Sequence, residues 1–343
     1  MISKYRSILV TGASGSLGKQ LLYELSSSDC RTIAHLRENS DSGFVDGLGI
    51  ERRFADLRIR PELANLVAGV DAVIHTAAII NFRREKLTEF TGTNTIAAVD
   101  LYQAAARAGV KRFVHVSTVA AIGARPRPDN GATRTDLPRS NEETEFNLGH
   151  LRIPYIMTKR AAEVELLKQA AQGGPELVIV NPSTLIAPSP AGDDLKRAVK
   201  AFSRPVMPSF PNLVNLADVR DVASGVLRAL ELGKAGERYI LAGDDISVRE
   251  LFLAVSDLVG RTPHLATPRK WMAKALARTS LIWGRLTGRS KISLYPDLVK
   301  MTDYDWTFSS TKARRELGYT TRSVLISLRD LLTNNFARSY AKP

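Results

Sequence analysis

The chain is predicted to be an α/β protein built on a doubly wound parallel sheet, with a smaller, mainly helical C-terminal lobe. Three observations predict it. Short β-branched runs alternate with longer stretches of helical spacing through the first two thirds of the sequence. Several runs, such as Ala72-Val-Ile-His-Thr76, are apolar almost end to end, which suits strands covered on both faces. A glycine-rich turn joins the first run to the first helical stretch.

In chain order, strands are expected at Ser7–Thr11, Arg31–Leu36, Glu51–Phe54, Ala72–Thr76, Arg112–Ser117 and Leu177–Asn181. Helical spacing falls between them at Leu17–Leu25, Leu63–Val67, Ile96–Ala108 and Tyr155–Ala171. A late helix, Val219–Leu232, and a strand, Arg238–Ala242, resume the same winding after an excursion. Proline- and glycine-rich connectors, Ala187–Gly192 and Arg204–Pro211, flank that excursion and mark a change of domain. Residues 1–183 thus form one domain, re-entered by 212–243, while 184–211 and 244–335 form the second lobe.

Composition excludes several classes. Among 343 residues, 44% are apolar and 24% charged, as in ordinary folded chains, so a disordered or fibrous protein is not expected. The single cysteine, Cys30, offers neither an internal disulfide nor a thiol cluster for zinc, so no metal site is expected and a reducing compartment fits. The first strand begins at Ser7, which leaves no room for a signal peptide, and no apolar run reaches the ~20 residues of a membrane span. A cytoplasmic location is the expectation. The net charge of +13 is unevenly spread: no Asp or Glu occurs between Leu258 and Pro296, while Arg261, Arg269, Lys270, Lys274, Arg278, Arg285, Arg289 and Lys291 gather there with Trp271, Met272, Leu276, Leu281, Ile282 and Trp283. Such a segment, 261–291, could touch an anionic membrane or simply present a solvated basic face. No nucleic-acid-binding module accompanies it.

The chemistry begins at Thr11-Gly-Ala-Ser-Gly-Ser-Leu-Gly18. Gly12 permits the tight turn, Gly15 lets backbone approach a pyrophosphate, and Gly18 lets helix and strand pack closely, with Ser14, Ser16 and Leu17 completing the turn. Phosphates would then face the N-terminus of the following helix. This is a Rossmann-type dinucleotide site, and residues 1–183 become its domain. At the end of the second strand, Arg37 could pair with the 2′-phosphate of NADP, whereas Glu38, one residue on, would bind the ribose of NAD. NADP(H) is favoured and NAD(H) is the alternative. Asp56, followed by Leu57 after the third strand, is a candidate for the adenine amino group.

Tyr155 and Lys159 stand four apart on a helix and share its face. A phenol needs nearby positive charge to exchange a proton at neutral pH, and the lysine supplies it. Ser117 and Thr118 end the fifth strand at the ligand-binding edge, where either hydroxyl could polarise a substrate oxygen; strand alternation points only one into the cleft.

These residues, with His75-Thr-Ala-Ala78, Asn94 and Asn181-Pro-Ser183, resemble the extended short-chain dehydrogenase/reductase family. Gly236–Gly243 and Ala313–Gly318 look like its dihydroflavonol-reductase-like branch, and Val180–Thr184 is similar to the hopanoid-associated sugar epimerases. The resemblance implies Gly12, Gly15 and Gly18 on the pyrophosphate, Arg37 on the 2′-phosphate, and Thr76, Ala77 and Ala78 beside the cofactor. It implies Tyr155 as acid/base, Lys159 as its partner and ribose ligand, Thr118 as the hydroxyl position with Ser117 before it, and Asn94 with them. Pro182 and Ser183 would lie near the nicotinamide. Two departures are Thr118 where serine is usual and Ala97-Ala98 where Gly-Thr usually follows the asparagine. Reduction of a carbonyl, or oxidation of a secondary alcohol, on a small hydrophobic substrate is expected; a nucleotide-sugar epimerase or dehydratase and a non-catalytic NADP-binding scaffold are the alternatives. A homodimer is compatible with the resemblance.

Overall fold

The computed structural model describes residues 4–80, 87–127, 138–188, 194–269, 271–273, 275, 279 and 296–333. Its main sheet has seven strands: β1 (Ser7–Thr11), β2 (Arg31–Leu36), β3 (Glu51–Phe54), β4 (Ala72–His75), β5 (Arg112–Val116), β6 (Glu176–Pro182) and β7 (Arg238–Leu241). They run parallel in the order β7-β6-β5-β4-β1-β2-β3. The winding reverses between β1 and β4, so the crevice beyond their carboxyl ends is where such a sheet receives a ligand.

Alternation along each strand feeds two cores. On one face Ile8, Val10, Ile74, Val114 and Val180 pack with Leu21 and Leu22 of the helix Ser16–Leu25 and with Val222 and Val226 of the helix Val219–Leu232. On the other, Leu9, Val73, Phe113 and Ile179 meet Leu63, Leu101, Ala105 and Leu166. Each Val, Leu, Ile or Phe among them contributes about 1.5–3 kcal/mol on burial, and the two-sided covering explains why these strands are apolar throughout.

The helix expected at Ile96–Ala108 differs from the structure. A short helix, Leu87–Phe90, runs through a π-helical turn, Thr91–Ile96, into the α-helix Ala97–Arg107. The wider turn carries Asn94 and leaves no apolar period to read. Ala97 and Ala98 are fully buried, so these small residues permit close packing without the usual Gly-Thr pair. The helix bearing Tyr155 begins one residue early, at Pro154, a residue whose fixed φ suits a first turn.

Beyond β6 the chain builds a second sheet from Thr184–Ile186, Leu213–Asp218 and Asp244–Ser247, the middle strand parallel to the first and antiparallel to the last. The helix Val248–Val259 follows, its start fixed by reciprocal hydrogen bonds between Ser247 and Glu250. The helices Asp194–Phe202 and Pro296–Met301 also belong to this side. The main sheet is rejoined by the helix Val219–Leu232 and β7, whereas the Leu213–Asp218 strand stays with the smaller sheet.

Candidate functional site

A cleft of about 1290 Å³ opens at the carboxyl ends of β1, β2, β4, β5 and β6. It gathers Gly12, Ser14, Gly15, Ser16, Leu17, Gly18, Arg37, Asp56, Leu57, Thr76, Ala77, Ala78, Ser117, Thr118, Tyr155, Lys159, Pro182 and Ser183. Of the sequence candidates, Glu38 is not in this lining, and neither is Asn94. Its buried carboxamide accepts from Ile79 N at 2.8 Å and donates to Ile79 O at 3.1 Å and to Thr158 Oγ1 at 3.3 Å. It braces the wall from behind, because the π-helical turn directs it at the loop after β4.

The glycine turn has room only for backbone. Gly12 sits at φ +71°, and a Cβ there would fall 2.6 Å from Thr76 Oγ1 and 2.8 Å from Ala77 N. A Cβ on Gly18 would strike the carbonyl of Gly12. The cradle so formed lies at the start of the helix Ser16–Leu25, where free N–H groups and the helix dipole favour an anion. These features fit a dinucleotide pyrophosphate.

At the far end, β2 stops at Leu36, so Arg37 lines the cleft directly after the strand. Arg37 N donates to Ser40 Oγ at 3.2 Å, and Ser40 also lines the cleft. Asp56 is gripped by Arg58, whose Nε and Nη2 donate to its two oxygens at 3.0 and 2.6 Å. That pairing lowers the carboxyl to about 2, with Arg37 adding to the effect. Asp56 is therefore a fixed anion whose acceptors are already partly engaged.

The acid/base group sits where the helix Pro154–Ala171 crosses the end of β5. The half-buried phenol of Tyr155 is hydrogen-bonded to the hydroxyl of Thr118; burial pushes it up to about 12, against the lowering effect of that hydroxyl. Thr118, in extended backbone, also accepts from Ala120 N at 3.3 Å. The buried Ser117 Oγ has no hydrogen-bond partner among the described residues; both Ser117 and Thr118 line the cleft, contrary to the expectation that only one enters it, and Thr118 is the one bonded to the phenol. Lys159 is buried and donates from Nζ to Val116 O at 2.6 Å. Burial brings its ammonium down to about 8, opposed by the negative charge of Glu163. Tyr155 and Lys159 thus share a helix face as expected, yet the ammonium is anchored on β5.

Other lining residues were not among the sequence candidates. Ser40 and Arg58 extend the Arg37 end, and Phe210, Asn212, Val214, Leu298, Met301, Thr302 and Trp306 form the wall opposite the sheet. Arg58 could have been noticed beside Asp56, but nothing in the spacing of the distant segments announces the second wall. Of the basic segment, Trp271 and Met272 are exposed, while Lys270, Lys274, Leu276, Arg278 and residues 280–295 lie outside the described residues. Among the described residues no helix is long and apolar enough to cross a membrane.

With this geometry in place, residues 8–242 match the NAD dependent epimerase/dehydratase family, and the chain belongs to it. It is similar to sterol demethylase protein B of Methylococcus capsulatus, 30% identical over 94% of this chain and 96% of that protein. A Synechocystis protein provisionally named a dihydroflavonol 4-reductase is 31% identical over 94% and 92% of the two chains. The 4-hydroxy-2-methyl-3-oxo-4-farnesyl-3,4-dihydroquinoline-1-oxide ketoreductase of Stigmatella aurantiaca is 28% identical over 91% of each. Among solved structures, the dTDP-glucose 4,6-dehydratase DesIV of Streptomyces venezuelae, crystallised with NAD and TYD, shares the fold at 21% identity with a TM-score of 0.73, covering 98% of this chain and 99% of its own. The family resemblance read from the motifs is thereby borne out, and the chain is an NAD(P)-dependent enzyme acting at alcohol or carbonyl carbon.

Proposed function

We propose that the chain is an NADP(H)-dependent oxidoreductase that reduces a carbonyl, or oxidises the matching secondary alcohol, of a hydrophobic substrate. The observation that carries this reading is the Tyr155 phenol, hydrogen-bonded to Thr118 in the same cleft as the glycine turn. When bound, the nicotinamide supplies or accepts hydride. The glycine turn would hold the pyrophosphate, Arg37 the 2′-phosphate and Lys159 the ribose hydroxyls. Tyr155 protonates the carbonyl oxygen while Thr118 donates a hydrogen bond to that oxygen, and the Lys159 ammonium favours the phenolate left behind. In the oxidative direction the same phenolate removes the alcohol proton. Asn94 keeps the wall after β4 in place.

Phe210, Val214, Leu298, Met301 and Trp306 support a hydrophobic substrate, with Asn212 and Thr302 beside them and Asp194 and Arg197 of the helix Asp194–Phe202 as the charged members of the same lining. The sterol and farnesyl groups in two relatives' names point the same way. Residues 1–183 with β7 would bind cofactor and the remaining segments substrate. The half-buried, unpaired Cys30 supports a reducing, cytoplasmic setting. Exposed Trp271 and Met272 within the basic segment support peripheral contact with anionic lipid, which flotation with anionic vesicles would test.

The test is NADPH oxidation with a panel of apolar ketones, run beside NADH. Stoichiometric loss of NADPH, abolished in Tyr155→Phe, is expected. The family match and the NAD-bound dehydratase fold favour a second reading, a sugar epimerase or dehydratase. Cofactor that co-purifies and never turns over would favour that reading instead, and full biological activity in Tyr155→Phe would favour a scaffold.

A further inference from the structure

One buried charge near the centre is unused by the reaction described above. Glu163 stands one turn beyond Lys159 on the helix Pro154–Ala171, and its residue is 0% exposed. Its hydrogen bond comes from Asn181, also 0% exposed, whose Nδ2 donates to Glu163 Oε1 at 2.6 Å and to Thr118 O at 2.9 Å. Arg160 and Arg238 approach Oε2 only to 3.7 and 3.6 Å, beyond hydrogen-bonding distance. A buried carboxylate costs several kcal/mol to desolvate, and an apolar side chain of the same size would pack there more cheaply. Its position links both functional groups: along the helix it faces Lys159, and across Asn181 it reaches the backbone of Thr118.

The groups around Lys159 narrow what the charge does. On its own helix are Tyr155 and Glu163; from β5 and β4 come His115 and His75, stacked with ring centroids 5.5 Å apart. Burial holds both imidazoles well below their ordinary value, so they stay neutral and place no charge of either sign beside the ammonium. Arg160 and Arg238 flank Glu163 on its outer side. Among the described residues Glu163 is the anion that acts on Lys159.

We infer that Glu163 is a positioning residue of the Tyr155/Lys159 centre, holding Lys159 in its ammonium form by charge and fixing the Thr118 backbone through Asn181. The inference rests on the catalytic reading proposed above. It predicts that Glu163→Gln, which keeps the shape and the acceptor for Asn181, lowers the titration midpoint of Lys159 by about one to three pH units, the range for removing one charge roughly 4–12 Å away at an effective dielectric of about 20. The midpoint can be read by NMR in cofactor-free protein carrying ¹³C-labelled lysine, with Lys159 assigned by its disappearance in Lys159→Met. The alkaline decline of NADPH affinity should move to lower pH by the same shift, and Glu163→Asp should restore both toward wild type.

An unmoved Lys159 midpoint in Glu163→Gln overturns the inference. If that variant does not fold, the wild type carries the test: Lys159 must keep its ammonium at neutral pH, and a Lys159 already deprotonated there overturns the inference equally. Failure of the catalytic reading looks different. Tyr155→Phe would then turn over at the wild-type rate whatever Lys159 does, whereas an inactive Tyr155→Phe with an unmoved midpoint condemns only the role of Glu163.

Discussion

The wall of the cleft that carries the glycine turn and the wall opposite it are made in different ways. The first is assembled from short contiguous segments at strand ends: Gly12–Gly18, Leu36–Arg37, Asp56–Arg58 and Thr76–Ile80. Much of what it presents is backbone. The second draws single side chains from scattered places, Phe210, Val214 and Val248 with Leu298, Met301 and Trp306, and what it presents is mainly apolar surface. A wall of backbone fails by steric collision when altered. A wall of side chains changes in shape and specificity while the fold stands, because apolar substitutions of similar volume cost little.

That contrast can be broken or sharpened by substitution. Tyr155→Phe, which removes the proton at the junction of the two walls, should lower turnover on the order of 10²–10⁴-fold while leaving NADPH binding intact; steady-state rates beside fluorescence titration check both halves. Gly18→Ala places a methyl against the Gly12 carbonyl. Overpacking of this kind costs about 1–3 kcal/mol, so calorimetry should record weaker NADPH binding by roughly tenfold or more together with a lower melting temperature. Arg37→Ala should weaken NADPH by about tenfold and leave NADH almost unchanged, since a charge-assisted hydrogen bond is worth about 1.5–3 kcal/mol; an unchanged NADPH/NADH preference would refute the role given to Arg37. Leu298→Ala, on the second wall, should raise KM for a bulky apolar ketone several-fold, about 1 kcal/mol, with kcat and cofactor affinity unaltered.

The pH dependence is the smallest effect. Lys159 titrates near about 8 in the folded chain against an ordinary value of 10.5. Its ammonium is therefore lost as pH rises through about 8, and NADPH affinity should decline above that point. Stability moves the other way for this group. Below about 8 the buried ammonium imposes its full cost; between there and 10.5 the unfolded chain holds a proton the folded chain has shed, so the cost is relieved. Titrating binding and melting temperature over the same buffers separates the two trends.

Much of the first wall was legible beforehand. Gly12, Gly15 and Gly18 are spaced by a local turn, Arg37 follows a strand, and Tyr155 and Lys159 are tied by one turn of helix, so each relation spans a few residues. The hydroxyl was readable only as a pair, Ser117 or Thr118. That Thr118 meets the phenol while Ser117 lines the same cleft without a partner depends on how β5 packs against the helix Pro154–Ala171. Asn94 was found as a residue but its placement was not, because the π-helical turn that aims it at Ile79 has no hydrophobic period.

By itself the amino-acid sequence determined the alternation of strands and helices, the turn for a dinucleotide and the one-turn relation of phenol to ammonium, since all three depend on local periodicity and backbone freedom. Only the tertiary structure decided that Lys159 anchors on Val116, that Asn181 joins Glu163 to Thr118, and that Leu298, Met301 and Trp306 line the same cleft as the glycine turn. Those relations join residues far apart in the chain, and they are set by how the sheet and its covering elements pack rather than by any spacing along it.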